Sequence, residues 1–282
     1  MRRYATVTAF ETALRAKLER LVTPQRTYQD LRKQLAFDRV LARLSIVAPD
    51  VWLLKGGVAL EYRLQRARAT RDIDLSARVG TEQMSRVLEA AAGVALDDYF
   101  AIRLGEHGKP VDQVDTLRFH VSVLYENGRR FEELTLDISF VDPWLGEPQV
   151  LTGSPLLDFA GIAPASVRAI PLEQHLAEKL HAYTFDYGTR ESTRVKDLVD
   201  MALLVDAAAI NGESLSRTLR DVFRQRATHD VPAAVPKPPP GWRGPYARLA
   251  AGLPIPQSAD DAHRHVAAAL ESALALAGRL LP

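Results

Sequence analysis

LLKGGVALEYRL (53–64) and, a few residues on, ATRDIDLSA (69–77) decide how this chain is read. The run VWLLKGG (51–57) is apolar and ends in paired glycines, the pattern of a buried strand followed by a tight turn, and VALEYRLQ after it has helical spacing. In the second stretch Asp72, Asp74 and Ser76 alternate with Ile73 and Leu75, a strand signal of period two. Asp72 and Asp74 therefore project from one face, roughly 7 Å apart at the backbone, and can converge on one or two cations. Two carboxylates held this close raise each other's proton affinity unless a cation compensates them, which is a physical reason to expect a metal. Gly56 and Gly57 offer backbone N–H groups at a helix N-terminus, where phosphate binds well, and having no side chains they let it approach closely. Each motif alone has a plainer alternative, because acidic pairs at strand ends also cap loops or meet arginines and paired glycines also simply make turns. Strand, glycine pair, helix and DxD on the next strand together point to phosphoryl or nucleotidyl transfer, in which a hard cation neutralises charge on phosphate oxygens.

Upstream, two helical patterns cover roughly residues 6–22 and 26–47, with Pro24 placed to open the second. Downstream, a helix is expected over 81–92. VDTLRFHVSVLYENGRRFEELTLDISFVD (114–142) is the clearest hairpin, with Asn127-Gly128 as its two-residue turn. In its second strand Leu134, Leu136, Ile138 and Phe140 share one face and Asp137 points the other way, so Asp137 is the natural third carboxylate for a metal. A loop is expected through about residue 167. PLEQHLAEKLHAYT (171–184) then starts a helix with its proline and sets Leu172, His175, Leu176, Lys179 and Leu180 at helical spacing. A lysine on that face either reaches an anion or snorkels to the surface. Another helix spans about 193–208, and the proline-rich VPAAVPKPPPGWRGP (231–245) reads as an extended connector before a terminal helix near 259–280. The expected fold is α+β: N-terminal helices and a mixed-sheet lobe over 1–165, then a helical lobe over 166–282.

Composition narrows the chemistry. With 47% apolar and 25% charged residues among 282, the chain is globular in character, and no apolar run is long enough to span a bilayer. The start, MRRYATVTAFETALRAKLERL (1–21), reads as an amphipathic helix rather than a signal peptide, so a cytoplasmic location without membrane attachment is expected. There is no cysteine, and the seven histidines form no HExxH pattern, so a catalytic metal would sit on oxygen ligands. Lys and Arg number 36 against 35 Asp and Glu, so nucleic-acid binding would need a local patch. Arg63, Arg66, Arg68, Arg71 and Arg78 form one basic run, and Lys55, Arg68, Arg71 and Lys196 are candidates for an RNA-facing surface; ordinary solvated charge is the alternative.

GGVALEYRL followed by TRDIDLS resembles the first motif of the AbiEii/AbiGii (MenT-like) nucleotidyltransferase toxins, a group within the DNA polymerase β-like superfamily. IPLEQHLAEKLHA (170–182) is similar to that group's later motif with a helical lysine, and RVKDLVDMALL (194–204) to its following motif with an aspartate. The stretch GWRGPYARLA (241–250) is similar to its C-terminal region, so the resemblance runs from about residue 51 to near the C-terminus. It implies a polymerase β-like lobe with Asp72 and Asp74 as metal ligands, Gly56, Gly57 and Thr70 as the phosphate cradle, Lys179 on the NTP phosphates, and Asp197 orienting Lys179 or the base. Thr70 stands where the family often has serine, and the family's third carboxylate is less regularly placed than Asp137 would suggest. Asp200 either shares the Asp197 face or pairs with Arg194 or Lys196. The implied activity is transfer of NMP from an NTP to an RNA acceptor such as the tRNA 3′ end, with Mg2+ or Mn2+ and release of pyrophosphate. The implied setting is a toxin-antitoxin or phage-defence pair, with a cognate antitoxin as partner. The alternatives are a nucleotidyltransferase acting on a small molecule or a protein, and a catalytically silent module that binds nucleotide or a partner.

Overall fold

Thr6 opens the first helix, α1 (Val7–Leu21), by accepting a hydrogen bond from the Ala9 amide. The second, α2 (Tyr28–Val47), is closed by a capping box in which Thr27 and Asp30 satisfy each other's backbone amides. Pro24 does not sit in the first turn of α2 as expected: Thr23 and Arg26 bridge a tight turn before the Thr27 cap, so the cap chemistry and not the proline sets the helix start. The computed structural model describes residues 3–65, 70–105, 109–110, 116–186, 194–207 and 209–278.

After α2 come β1 (Trp52–Lys55), α3 (Gly56–Leu64), β2 (Asp72–Ala77), α4 (Thr81–Ala92), β3 (Phe100–Leu104), β4 (Lys109–Pro110), β5 (Thr116–Tyr125), β6 (Arg130–Ser139), β7 (Gln149–Thr152) and β8 (Ser166–Ala169). They form one mixed sheet in the order β3-β5-β6-β2-β1-β8-β7, with β4 added beside β5. β2 runs parallel to β6 and antiparallel to β1, while β1 and β8 are parallel. One sheet face carries Trp52, Leu54, Ile73, Leu75, Leu136 and Ile138 into a core shared with α1, α2 and α4, where Phe10, Leu35, Leu41, Met84 and Leu88 are buried. That face leaves the alternate residues, among them Asp72, Asp74, Asp137 and Arg118, together on the other.

The β5–β6 hairpin is present, but its turn is not the two-residue form. Tyr125 bonds to Arg129, Gly128 lies at φ +84°, and the register shifts between Val123 and Leu124, so three residues make the loop and a bulge restores the pairing. The stretch expected to be a loop through about residue 167 holds β7 and the start of β8. Beneath the sheet a buried network ties α2 to the β3 side, with Arg43 donating to both Asp98 oxygens at 2.8 and 2.9 Å and to the Phe100 carbonyl.

The remaining helices are α5 (Leu172–Thr184), α6 (Val195–Val205), α7 (Gly212–Arg226), α8 (Arg243–Ala250) and α9 (Ala259–Gly278). Neither α7 nor α8 was expected from the sequence, and the proline-rich connector ends sooner than residue 245 because α8 starts at Arg243. The described residues divide into two compact units: the first holds those through Ala169 other than 143–147, and the second holds 143–147 and those from Ile170 onward. Leu176, Leu198, Met201, Leu219, Tyr246 and Leu270 are fully buried in the second unit. No helix among the described residues is long and apolar enough to cross a membrane.

Candidate nucleotidyl-transfer site

In the first unit the chain enters α3 directly from β1, with Gly56 at φ +65°, a conformation that glycine adopts without the cost a Cβ would bring. A Cβ on Gly56 would fall on the Asp74 carboxylate, and a Cβ on Gly57 would fall on the Thr70 hydroxyl. Gly56 is therefore fixed by the turn and by close approach, and Gly57 by close approach. The same contacts bring the α3 N-terminus, Thr70 and Asp74 to one point, with Asp72 half-buried on the same face of β2. The helix N-terminus supplies aligned amide dipoles there, and Lys55 at the cap position contributes no side-chain cap bond.

Asp137 lies opposite Asp74 on β6, so the three carboxylates do occupy adjacent rungs of one face. What the sequence did not reveal is Arg118. It stands opposite Asp137 on β5 and grips it with two parallel bonds, Nε to Oδ1 at 2.8 Å and Nη2 to Oδ2 at 2.7 Å. Those bonds, with the charges of Asp137, Asp72 and Asp74, hold the guanidinium above its ordinary proton affinity, so it remains a fixed cation. Among the described residues no group of three carboxylate or imidazole side chains is arranged to hold a metal ion. The donor set that does fit a hard cation is the pair Asp72 and Asp74, since magnesium is commonly held by one or two carboxylates with substrate phosphates and water completing its shell.

Of the basic residues singled out from the sequence, two in this unit are engaged within the chain. Lys55 is paired with Asp142, and Arg63 donates to Gln149. Arg71 and Arg78 are exposed, whereas Arg66 and Arg68 lie outside the described residues.

In the second unit, Lys179 on α5 points its Nζ at two aspartates of α6, 2.7 Å from Asp200 and 3.3 Å from Asp197. Arg194 takes the other Asp197 oxygen at 2.6 Å. Both aspartates are fully buried and Lys179 is 13% exposed, so these ion pairs lie largely out of water. Lys179 is thus held by anions of its own chain rather than snorkelling. Asp197 and Asp200, one turn apart, share the face that presents them to it, while Lys196 is exposed.

A glycine-opened helix N-terminus set against a DxD strand, on a mixed sheet of this order, defines a nucleotidyltransferase lobe. The sequence model described as "Nucleotidyl transferase AbiEii toxin, Type IV TA system" matches residues 39–274. The chain belongs to that family: it is a nucleotidyltransferase of the AbiEii toxin type. Among solved structures, MenT4, the nucleotidyltransferase toxin Rv2826c of Mycobacterium tuberculosis H37Rv, is similar in fold at a TM-score of 0.60 and 18% identity, with 95% of this chain and 90% of that one covered. JHP933 from Helicobacter pylori aligns at a TM-score of 0.49 and 19% identity over 90% of this chain and 94% of that one. A search of curated proteins finds no match.

Proposed function

We propose that the chain transfers an NMP from an NTP to an RNA acceptor, with the tRNA 3′ end as the first candidate, as the toxin of a type IV pair that has a cognate antitoxin. The observation that carries the reading is the meeting of the α3 N-terminus with Asp74 and Thr70, because it puts an anion-binding helix end beside two carboxylates suited to a divalent ion. Asp72 and Asp74 would hold Mg2+ or Mn2+, and Asp137 enters only if Arg118 releases it. When bound, such an ion screens the phosphate oxygens and the charge that develops on the leaving pyrophosphate. The amides at Gly56 and Gly57 cradle the phosphates, and the Thr70 hydroxyl donates to a phosphate oxygen. The family motif implies a role for Lys179 in the reaction, with Asp197 fixing its direction. The exposed Arg71, next to the DxD strand, offers a contact for the acceptor backbone.

The test is incubation of the purified chain with total tRNA, Mg2+ and each labelled NTP in turn, beside Asp72→Asn and Asp74→Asn. Label in tRNA that disappears in both variants is the expected result and identifies the nucleotide. Label appearing only on a small molecule or a protein would replace the RNA acceptor, and NTP binding without turnover under every condition would make the chain a silent module. An RNA acceptor also predicts affinity that falls steeply with salt, because each phosphate contact releases counterions.

A further inference from the structure

We propose that Tyr62 and Asp38 are positioning residues of the nucleotide site: the buried bond between the Tyr62 hydroxyl and the Asp38 carboxylate fixes the direction of α3, and with it the place where the Gly56 and Gly57 amides meet the NTP phosphates. The inference rests on the phosphate-cradle reading above and extends it to a pair of residues outside the cradle itself.

α3 has nine residues, too few to be stable alone in water, so its neighbours decide where it points. Val58, Ala59 and Leu60 are buried and the helix packs on β1, β2 and β7, but apolar contact is non-directional and lets a short helix slide or tilt. A hydrogen bond is directional. Tyr62 is buried and donates its hydroxyl to Asp38 Oδ1 on α2 at 3.0 Å. Burial, with the neighbouring Asp38 charge, holds the phenol well above its ordinary proton affinity, so the hydroxyl stays a donor. Asp38 is buried and is itself held in place. Arg39 Nε donates to its Oδ2 at 3.0 Å, the Ala165 amide donates to its Oδ1 at 2.8 Å, and Arg39 also reaches the Ala163 carbonyl at 2.8 Å.

One carboxylate oxygen thus joins α3 to the chain entering β8. β8 runs parallel beside β1 with Ala169 opposite Leu54, and β1 passes through Lys55 straight into Gly56. Asp38 therefore braces the β1–α3 turn through the helix that leaves it and through the strand beside the one that enters it. Gly153 leaves the room this needs, since a Cβ there would fall on Asp38 Oδ1 and lie 3.0 Å from the Tyr62 hydroxyl. Tyr62 follows Gly56 by six residues, about 9 Å along the axis, so a tilt of about 6° at Tyr62 carries the Gly56 amide about 1 Å out of place. A displacement of that size can cost on the order of a hundredfold in rate.

The experiment measures, on the full chain, calorimetric affinity for a non-hydrolysable NTP analogue with Mg2+, alongside the melting temperature. Tyr62→Phe, which removes only the hydroxyl, is expected to weaken the analogue about tenfold while melting within a few degrees of the native chain. Gly153→Ala, which presses on both Asp38 and Tyr62, is expected to do the same. Leu88→Val, a core change on α4, is the control for lost stability and is expected to keep native affinity. Native affinity in either folded variant, or an equal loss in Leu88→Val, would overturn the proposal; Gly153→Ala carries the test if Tyr62→Phe does not fold. Failure of both to fold would make the pair part of the core and not of the site. In each of these cases the cradle reading stands as long as Gly56→Ala weakens the analogue. Binding indifferent to Gly56→Ala would instead remove the cradle reading and this inference with it.

Discussion

Replacing Lys179 with methionine should cost stability before it costs chemistry. Its Nζ lies 2.7 Å from Asp200 and 3.3 Å from Asp197, both fully buried, and Arg194 pairs with Asp197. Lys179→Met removes a cation held 2.7 Å from the buried Asp200 carboxylate, and breaking one side of a buried pair typically costs about 3–5 kcal/mol. With a urea dependence on the order of 2 kcal/mol per molar, the unfolding midpoint of the second unit should fall by roughly 2 M. Trp242 is buried in that unit edge-on to Tyr183, so its fluorescence reports the transition directly alongside far-ultraviolet circular dichroism. Replacing the pair together, as Lys179→Met/Asp200→Leu, removes both charges and should recover most of the loss, since well-packed apolar groups often substitute for a buried ion pair at little net cost. A Lys179→Met midpoint within a few tenths of a molar of the native value would refute the claim that this cluster is a structural element. The pair of variants also separates two roles: a recovered fold without nucleotidyl transfer assigns Lys179 to the reaction, whereas recovered transfer removes it from the site.

Gly56→Ala places a side chain at φ +65° and on the Asp74 carboxylate; the backbone conformation alone costs about 1–2 kcal/mol, and the displaced carboxylate should lower kcat/KM for nucleotidyl transfer at least tenfold while the melting temperature drops only a few degrees. Equal loss in Gly56→Ala and in a remote destabilised variant would count against a local effect. On the acid side, burial, with the nearby charges of His229 and Arg226, pushes His181 down to about 4, so the unfolded chain binds the extra proton and stability should fall as pH drops from 6.5 toward 4, by at most about 1.4 kcal/mol per pH unit; His181→Phe should flatten that limb in melts across the range. Glu61 has the opposite sign, because burial raises it to about 7: its contribution is complete below pH 4.5 and lost as pH rises through 7, and Glu61→Gln should remove that slope.

Much of the first unit was legible because its signals are local. Alternation through Asp72, Ile73, Asp74 and Leu75 gave a strand with a polar face, and the paired glycines gave the turn into a helix, because both patterns depend only on neighbouring residues. The Asn127-Gly128 turn revealed the hairpin, although the bulge that shapes it depends on how two strands pair. Short elements without a period were missed: Gln149–Thr152 is an edge strand with mostly exposed side chains, and Ser166–Ala169 is defined chiefly by the partners on either side of it. The helix over Gly212–Arg226 had readable signals, with Asn211 as its cap and Leu215, Leu219, Val222 and Phe223 at helical spacing, but its many charged residues obscured them.

The third carboxylate shows where local reading stops. Period-two alternation placed Asp137 on the polar face correctly, but a strand's own pattern fixes only which way a residue points. What that residue meets is set by the strands paired to either side, here Asp74 on β2 and Arg118 on β5. Pairing outward from the Asn127-Gly128 turn would have put Arg118 opposite Asp137, since the bulge at Val123 and Leu124 is compensated by the longer loop and the register beyond it is unchanged. A carboxylate read alone suggests a metal ligand; the same carboxylate with an arginine on the next rung is already gripped by a charge-assisted pair, which only the strand pairing reveals.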